Sequence, residues 1–391
     1  MKEINQENKM TYKVLQFFST LNSGGAENRM MDVYRTIDLN KVMFDFAVVH
    51  EGEHYFDKEI LENGSKKFIL PDPRKGLIKN YFSLVKFFKE HPEYKAVHAH
   101  VAWYNGVVLL AAKQAGIPIR ISHARDSVFP NRSFKTKMFS DIGKLLIAIS
   151  ATQKLAISKE AAENIYGKRA VKRNDYLFIP NSIDQHKYKV LDCTEKDEIR
   201  AKLEIPDGYK AYVNVGNLRE QKNHMFLLDI AYSLKKMDEK FLLFLIGEGN
   251  LRKQIEAKIK ELDLTQNVKL LGSRGDVPKI LGAFDGMIFP SFFEGLGGVV
   301  LEAQIVGVPA IVSDRIPTMV DVEIDMVEYV SLDTPANEWA KKIIKKVNNY
   351  NWDYEDTLKA FSKRGYVIEE TAKKYLIEYG IDPKEVSNYV K

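Results

Sequence analysis

Short apolar runs alternate with segments of helical periodicity along the whole chain. In the first half, Lys13–Ser19, Phe44–His50, Lys67–Leu70, Ala96–His100 and Ile119–His123 have strand length and are mostly apolar. Strands covered by helices on both faces read this way, because neither face meets water. Between them Ala26–Ile37, Leu77–Glu90 and Asn105–Ala115 are predicted helices, and Tyr176–Asn181 adds one more strand and turn. A second series follows: predicted strands at Ala211–Val215, Phe241–Ile246, Val268–Leu271, Gly286–Phe289 and Pro309–Ser313, with helices at His224–Met237, Asn250–Leu262 and Gly298–Val306. The alternation predicts two doubly wound, Rossmann-like α/β domains. The polar stretch Gln185–Lys210 is expected to be the linker. The boundaries are set at 1–184 and 185–368, with 369–391 as a final helix.

Composition narrows the class. At 391 residues the chain exceeds one ordinary core and suits two domains of roughly 180 residues. Its 45% hydrophobic and 28% charged content is that of a globular protein. The single cysteine, Cys193, excludes an internal disulfide and fits a reducing compartment. Met1–Met10 has no apolar signal core, and the longest apolar runs fall short of a membrane span, so a cytoplasmic location is expected. Charge is uneven: residues 1–180 carry +9 and 181–391 carry −4, summing to +5. A basic first half suits an anionic partner. No nucleic-acid signature accompanies it, which favours phosphate or anionic lipid.

The richest segment is Pro290–Pro309, reading strand, glycine-rich loop, helix, glycine stop, strand. Gly295, Leu296, Gly297 and Gly298 leave backbone N–H groups free at a helix start, where the helix dipole also favours an anion. Glu294 precedes the helix and Glu302 lies inside it. Two carboxylates would repel a bare phosphate. They suit a ligand that carries hydroxyls as well, which carboxylates accept as hydrogen-bond donors. A second cluster, Arg219 and Lys222, sits on the loop after the first strand of the second series, where both reach a pyrophosphate. Ser23-Gly24-Gly25 follows the first strand of all and lacks the dinucleotide-binding glycine spacing. His98 and His100 share one strand face, but no third ligand for a metal is evident.

These motifs resemble the retaining glycosyltransferases of family 4, which have the GT-B fold, two such domains facing a cleft. The E-x7-E motif of that family is matched by Glu294 and Glu302. The resemblance implies that Glu294 holds hydroxyls of a donor sugar and Glu302 its ribose, while Arg219 and Lys222 neutralise a diphosphate without a metal or other cofactor. It implies that Gly24 and Gly25 cover that diphosphate, that His123 lies by the reaction centre, and that Asn181 belongs to the domain hinge, although a turn-capping role for Asn181 reads equally well. The last helix, 369–391, is expected to return to the first domain. The implied activity is transfer of a sugar from a nucleotide-sugar, by default a UDP-sugar, to a glycan acceptor. Similar motif order is found in capsular and exopolysaccharide enzymes that use polyprenyl-phosphate-linked acceptors. A sugar-nucleotide epimerase, a phosphorylase and a non-catalytic sugar binder are the alternatives. In Arg125–Lys144, the cations Arg125, Arg132, Lys135, Lys137 and Lys144 are interleaved with Val128, Phe129, Phe134, Met138 and Phe139, which suits peripheral contact with the inner face of a membrane. A helix burying its aromatics fits the same spacing.

Overall fold

A computed structural model describes residues 11–125, 134–237 and 239–391. The chain divides into two compact units, Met1–Ser182 with Gly365–Lys391, and Ile183–Arg364. In the first, β1 (Tyr12–Phe18), β2 (Val42–Val48), β3 (Lys67–Ile69), β4 (Tyr94–Ala99), β5 (Ile119–Ala124), β6 (Gln153–Ala156) and β7 (Leu177–Phe178) form one sheet. Its order is β3-β2-β1-β4-β5-β6-β7, parallel throughout. Alternate residues of β1 feed opposite cores: Val14 and Phe18 pack on one face, Leu15 and Phe17 on the other. The C-terminal segment completes the first of these cores with Tyr375, Leu376 and Tyr379. It is tied down further by an antiparallel bridge between Ile37 and Val390, and by Lys391 N–H donating to Thr36 O at 2.8 Å.

The second unit holds β8 (Lys210–Val215), β9 (Phe241–Ile246), β10 (Val268–Gly272), β11 (Gly286–Phe289), β12 (Ala310–Ser313) and β13 (Val327–Val330). The order is β10-β9-β8-β11-β12-β13, again all parallel. All six residues of β9 are buried, as its unbroken FLLFLI run requires. In both sheets the chain winds outward from the first strand, then returns to its other side. Strand order therefore reverses between β1 and β4 and between β8 and β11. Loops leaving adjacent strands at such a reversal diverge, which makes room for a ligand beyond their carboxyl ends.

Among the elements that differ from expectation, three show why. β6 (QKLA) and β13 (VEYV) are short and only half buried, so neither shows as an apolar run. The expected linker contains a helix, Cys193–Lys202, none of whose residues is buried. It lacks apolar periodicity for that reason. Its signal is the capping box Asp192-Cys-Thr-Glu195: Asp192 Oδ1 accepts from Glu195 N–H at 2.9 Å, and Glu195 accepts from Asp192 N–H. Among the described residues no helix is long and apolar enough to cross a membrane.

The strand ends of the second unit are packed backbone to backbone. Gly247, at φ +145°, would place a Cβ 2.1 Å from Gly216 O, and Gly249 would place one 2.3 Å from Leu218 O. Backbone cannot give way as a side chain can. Gly247→Ala is expected to destabilise by about 2 kcal/mol or more, read as a lower urea midpoint. An unchanged midpoint would show that these loops are not held at this spacing.

Candidate functional site

The loop after β8 and the loop after β11 are fastened to each other at the strand-order reversal. Gln221 donates to Phe293 O at 2.9 Å and its own carbonyl accepts from Phe292 N–H at 2.9 Å. Asn223, in the left-handed conformation at φ 55°, donates to Pro290 O at 3.1 Å. At the centre Lys222 Nζ meets Glu294 Oε1 at 2.7 Å, with only 15% and 11% of the side chains exposed. The same ammonium lies 4.5 Å from the centre of the Phe289 ring, a cation–π contact that steadies a charge leaving water. Gly216 makes space for it, since a Cβ there would stand 2.7 Å from Lys222 Cε.

Arg219 is exposed on the same loop, and among the described residues it has no ion-pair partner. Gly297 caps the helix Gly298–Ile305 in the left-handed region, φ 87°, with no side chain satisfying the first N–H groups. Glu302 is half buried one turn further in. His224 follows directly after Asn223, and burial, then the Lys222 charge, push its imidazole down to about 4. The structure thus brings Arg219, Lys222, Glu294, Gly297 and Gly298 to one end of one sheet. It offers a free guanidinium, an uncapped helix start and a half-buried ion pair. A ligand with an anionic and a hydroxylated part in succession can engage all three.

In the first unit, Gly24 caps the helix Gly25–Thr36 without any side-chain cap. A Cβ on Gly25 would meet nothing within 4 Å, so packing does not require glycine there and the space above it is open. Asn181 does not cap a turn through its side chain; its Oδ1 accepts from Arg125 Nη1 at 3.0 Å. Arg125, expected at a membrane-facing surface, is buried instead. Val128, Phe129 and Arg132 lie outside the described residues, as do the side chains of Phe134 and Lys135. Phe139 stacks on Trp103 at 5.2 Å between ring centres. The apolar face that does reach solvent lies further along the helix Phe134–Ser150: Met138, Ile142, Leu145 and Ile149 are 44%, 46%, 63% and 51% exposed. Spacings of four, three and four put them on one stripe.

His123 does have company. It forms one buried cluster with His98 and His100, their ring nitrogens within 4.8 Å of one another. This supplies the third imidazole that strand spacing alone did not show. Three imidazoles suit zinc in chemistry, but five of the six ring nitrogens are engaged in hydrogen bonds. A cation here would have to displace them beside the Arg125 guanidinium. Glutamine at position 16 and Tyr379, both in this network, were not singled out in the sequence. Gln16 had a signal, a polar residue inside an apolar strand; Tyr379 had none. A cavity of about 570 Å³ lies elsewhere, between the helix Cys193–Lys202 and Arg274–Ile280, and contains none of the predicted site residues.

Burial first, then the Arg125 charge, holds His98 and His123 well below the ordinary imidazole value; for His100 the neighbouring His98 also contributes. The unfolded chain therefore binds protons below about pH 6.5 that the folded chain refuses. Stability is expected to fall as pH drops through that value, by about 1.4 kcal/mol per pH unit for each such histidine. Urea midpoints at pH 7.5 and 5.5 measure it, and equal midpoints would contradict buried neutral imidazoles.

The family of glycosyl transferases group 1 matches residues 195–367. The "Putative glycosyltransferase EpsF" of Bacillus subtilis (strain 168) is 30% identical over 383 residues, covering 97% of this chain and 100% of that one. The UDP-Gal:alpha-D-GlcNAc-diphosphoundecaprenol alpha-1,3-galactosyltransferase of Escherichia coli is 26% identical over 265 residues, 66% of this chain and 68% of that one. The crystal structure of Anabaena HepE in complex with UDP and glucose superposes with a TM-score of 0.75 at 18% identity, over 94% of this chain and 99% of that one, and shares its GT-B fold. Two parallel α/β units, the loop pair at the strand reversal and a full-length relative lead to one conclusion: the chain belongs to the group 1 glycosyl transferases and is a glycosyltransferase.

Proposed function

We propose that this glycosyltransferase takes its sugar from a UDP-sugar, retains the anomeric configuration and works without a metal. The observation that carries the reading is the Lys222–Glu294 pair at 2.7 Å, between the free Arg219 and the uncapped Gly298–Ile305 helix. In a nucleotide sugar the diphosphate and the sugar are joined through one oxygen. A paired ammonium and carboxylate fit that junction, the ammonium toward phosphate and the carboxylate toward sugar hydroxyls. Arg219 and the amides of Gly295, Leu296, Gly297 and Gly298 take the remaining phosphate charge, and Glu302 the ribose. Gly24, Gly25, His123 and Asn181 are assigned to donor binding as well. UDP as the base-bearing half is supported by the E. coli relative's name and by the HepE complex.

As the sugar–phosphate C–O bond breaks, its electron pair leaves with the diphosphate, where Lys222, Arg219 and the helix start stabilise it. The acceptor hydroxyl attacks from the same face and gives its proton to a departing phosphate oxygen. Among the described site residues none is placed as a covalent nucleophile. The acceptor is assigned as a polyprenyl-diphosphate-linked glycan in capsular or exopolysaccharide synthesis, as the E. coli relative's name states for its own substrate. The exposed stripe Met138, Ile142, Leu145 and Ile149, flanked by Lys137 and Lys144, is assigned to the cytoplasmic membrane surface. No observation favours the epimerase, phosphorylase or sugar-binder alternatives.

Arg219→Ala and Glu302→Gln are each expected to slow transfer about 100- to 1,000-fold, the scale of a lost charged contact to the transition state. Wild-type rates in both would move the site elsewhere. Proton NMR of the product is expected to show the donor's anomeric configuration; an inverted product rejects retention. Flotation on vesicles containing phosphatidylglycerol is expected to fall strongly for Ile142→Ser/Leu145→Ser, and undiminished flotation would remove this helix from the membrane reading.

A further inference from the structure

The histidine cluster is a chain of hydrogen bonds in which one direction satisfies every member but the last. Arg125 is buried and its Nε can only donate, which it does to His100 Nδ1 at 3.0 Å. A neutral imidazole has one N–H, so the proton of His100 sits on Nε2 and goes to Gln16 Oε1 at 3.1 Å. The reverse amide orientation of Gln16 would give His100 two donors and no proton. Gln16 Nε2 is therefore the end that donates to the Tyr379 hydroxyl, at 3.0 Å. That hydroxyl passes its own hydrogen to His98 Nδ1 at 2.7 Å. Burial raises the Tyr379 pKa and keeps the group a donor. His98 then carries its proton on Nε2 and gives it to His123 Nδ1 at 3.0 Å. One atom remains: His123 Nε2, protonated by this logic, fully buried and without a partner.

An unmet buried donor costs about as much as one or two of the cluster's hydrogen bonds contribute. Six residues from four places in the chain, 16, 98–100, 123–125 and 379, are aligned to produce this single free N–H. We propose that Gln16, His98, His100 and Tyr379, started by Arg125, are positioning residues that lock His123 as an Nε2–H donor to a hydroxyl of the sugar being transferred. The lock is what a side chain of either polarity would otherwise lack: His123 becomes an acceptor only if the His98–His123 and Tyr379–His98 hydrogen bonds both reverse, which leaves the buried Tyr379 hydroxyl hydrogen without its acceptor. A hydroxyl that must accept from His123 is left with its own hydrogen to give. This proposal rests on the assignment of His123 to the donor sugar made above.

The test has two arms, both on the full chain. In selectively ¹⁵N-histidine-labelled protein without ligand, His98, His100 and His123 are expected as neutral Nε2–H tautomers from pH 6 to 8. An Nδ1–H tautomer or an imidazolium at His98 or His123 overturns the relay whatever the activity. Tyr379→Phe removes one hydroxyl, and Gln16→Glu keeps the shape but leaves no N–H for Tyr379; in both, His123 is expected to lose its single tautomer. The second arm follows UDP release from UDP-galactose and UDP-glucose as probe donors. Either variant is expected to lower kcat about 10- to 100-fold with donor KM changed less than about 3-fold, and to have no further effect in a His123→Ala background. Wild-type kcat in Tyr379→Phe beside a failing His123→Ala refutes the positioning role. Tautomers as stated with full turnover in His123→Ala instead remove His123 from the sugar while the relay itself stands.

Discussion

Parallel strand order is the constraint on which both halves of this protein depend. A sheet that starts at its middle and fills first one side, then the other, must reverse once. At that point two adjacent loops leave in opposite directions. In the second unit the reversal falls between β8 and β11, and the two loops it frees carry Arg219, Lys222 and Glu294. Gly247 and Gly249 then let neighbouring backbones close to contact distance, and Gly216 leaves room for the Lys222 side chain. The site is thus built from backbone topology first and charges second. A half-buried ammonium beside a half-buried carboxylate costs desolvation. Here the cost is offset by the Phe289 ring and by loop-to-loop hydrogen bonds that hold the pair at 2.7 Å.

The first unit solves a different problem on the same topology. Its reversal, between β1 and β4, collects uncharged imidazoles and amides around one buried guanidinium. Protonated histidines could not stay there, and depressed imidazole pKa values follow from the burial and from Arg125 together. The C-terminal segment is part of this arrangement, because Tyr375 and Tyr379 both contact the cluster. One unit holds paired charge and the other holds polarity without net pairing.

What the sequence disclosed follows from how local each signal is. The strands β1, β2, β8, β9, β11 and β12 announce themselves as apolar runs, and the Pro290–Pro309 segment carries loop, helix start and carboxylates within twenty positions. Arg219 and Lys222 are three residues apart and needed no tertiary knowledge. The histidine network was only half legible. His98, His100 and His123 stand at strand ends, but Tyr379 reaches them across 281 residues of chain, and no periodicity encodes that. Arg125 was misplaced because its basic, aromatic-rich surroundings suggest a surface, whereas the strand end just before it carries it inward. The helix Cys193–Lys202 escaped because it buries nothing, leaving only its capping box to read.

The central claim is that the β8–β11 loops hold the diphosphate of the donor. Calorimetric titration with UDP and with uridine, on the wild-type chain and on Lys222→Met, addresses it most directly. The account predicts that UDP binds the wild type at least about 100-fold more tightly than uridine, the weight of charge-assisted contacts to two phosphates, and that most of this difference disappears in Lys222→Met. Equal affinities for UDP and uridine, or a Lys222→Met chain that distinguishes them as the wild type does, would contradict it.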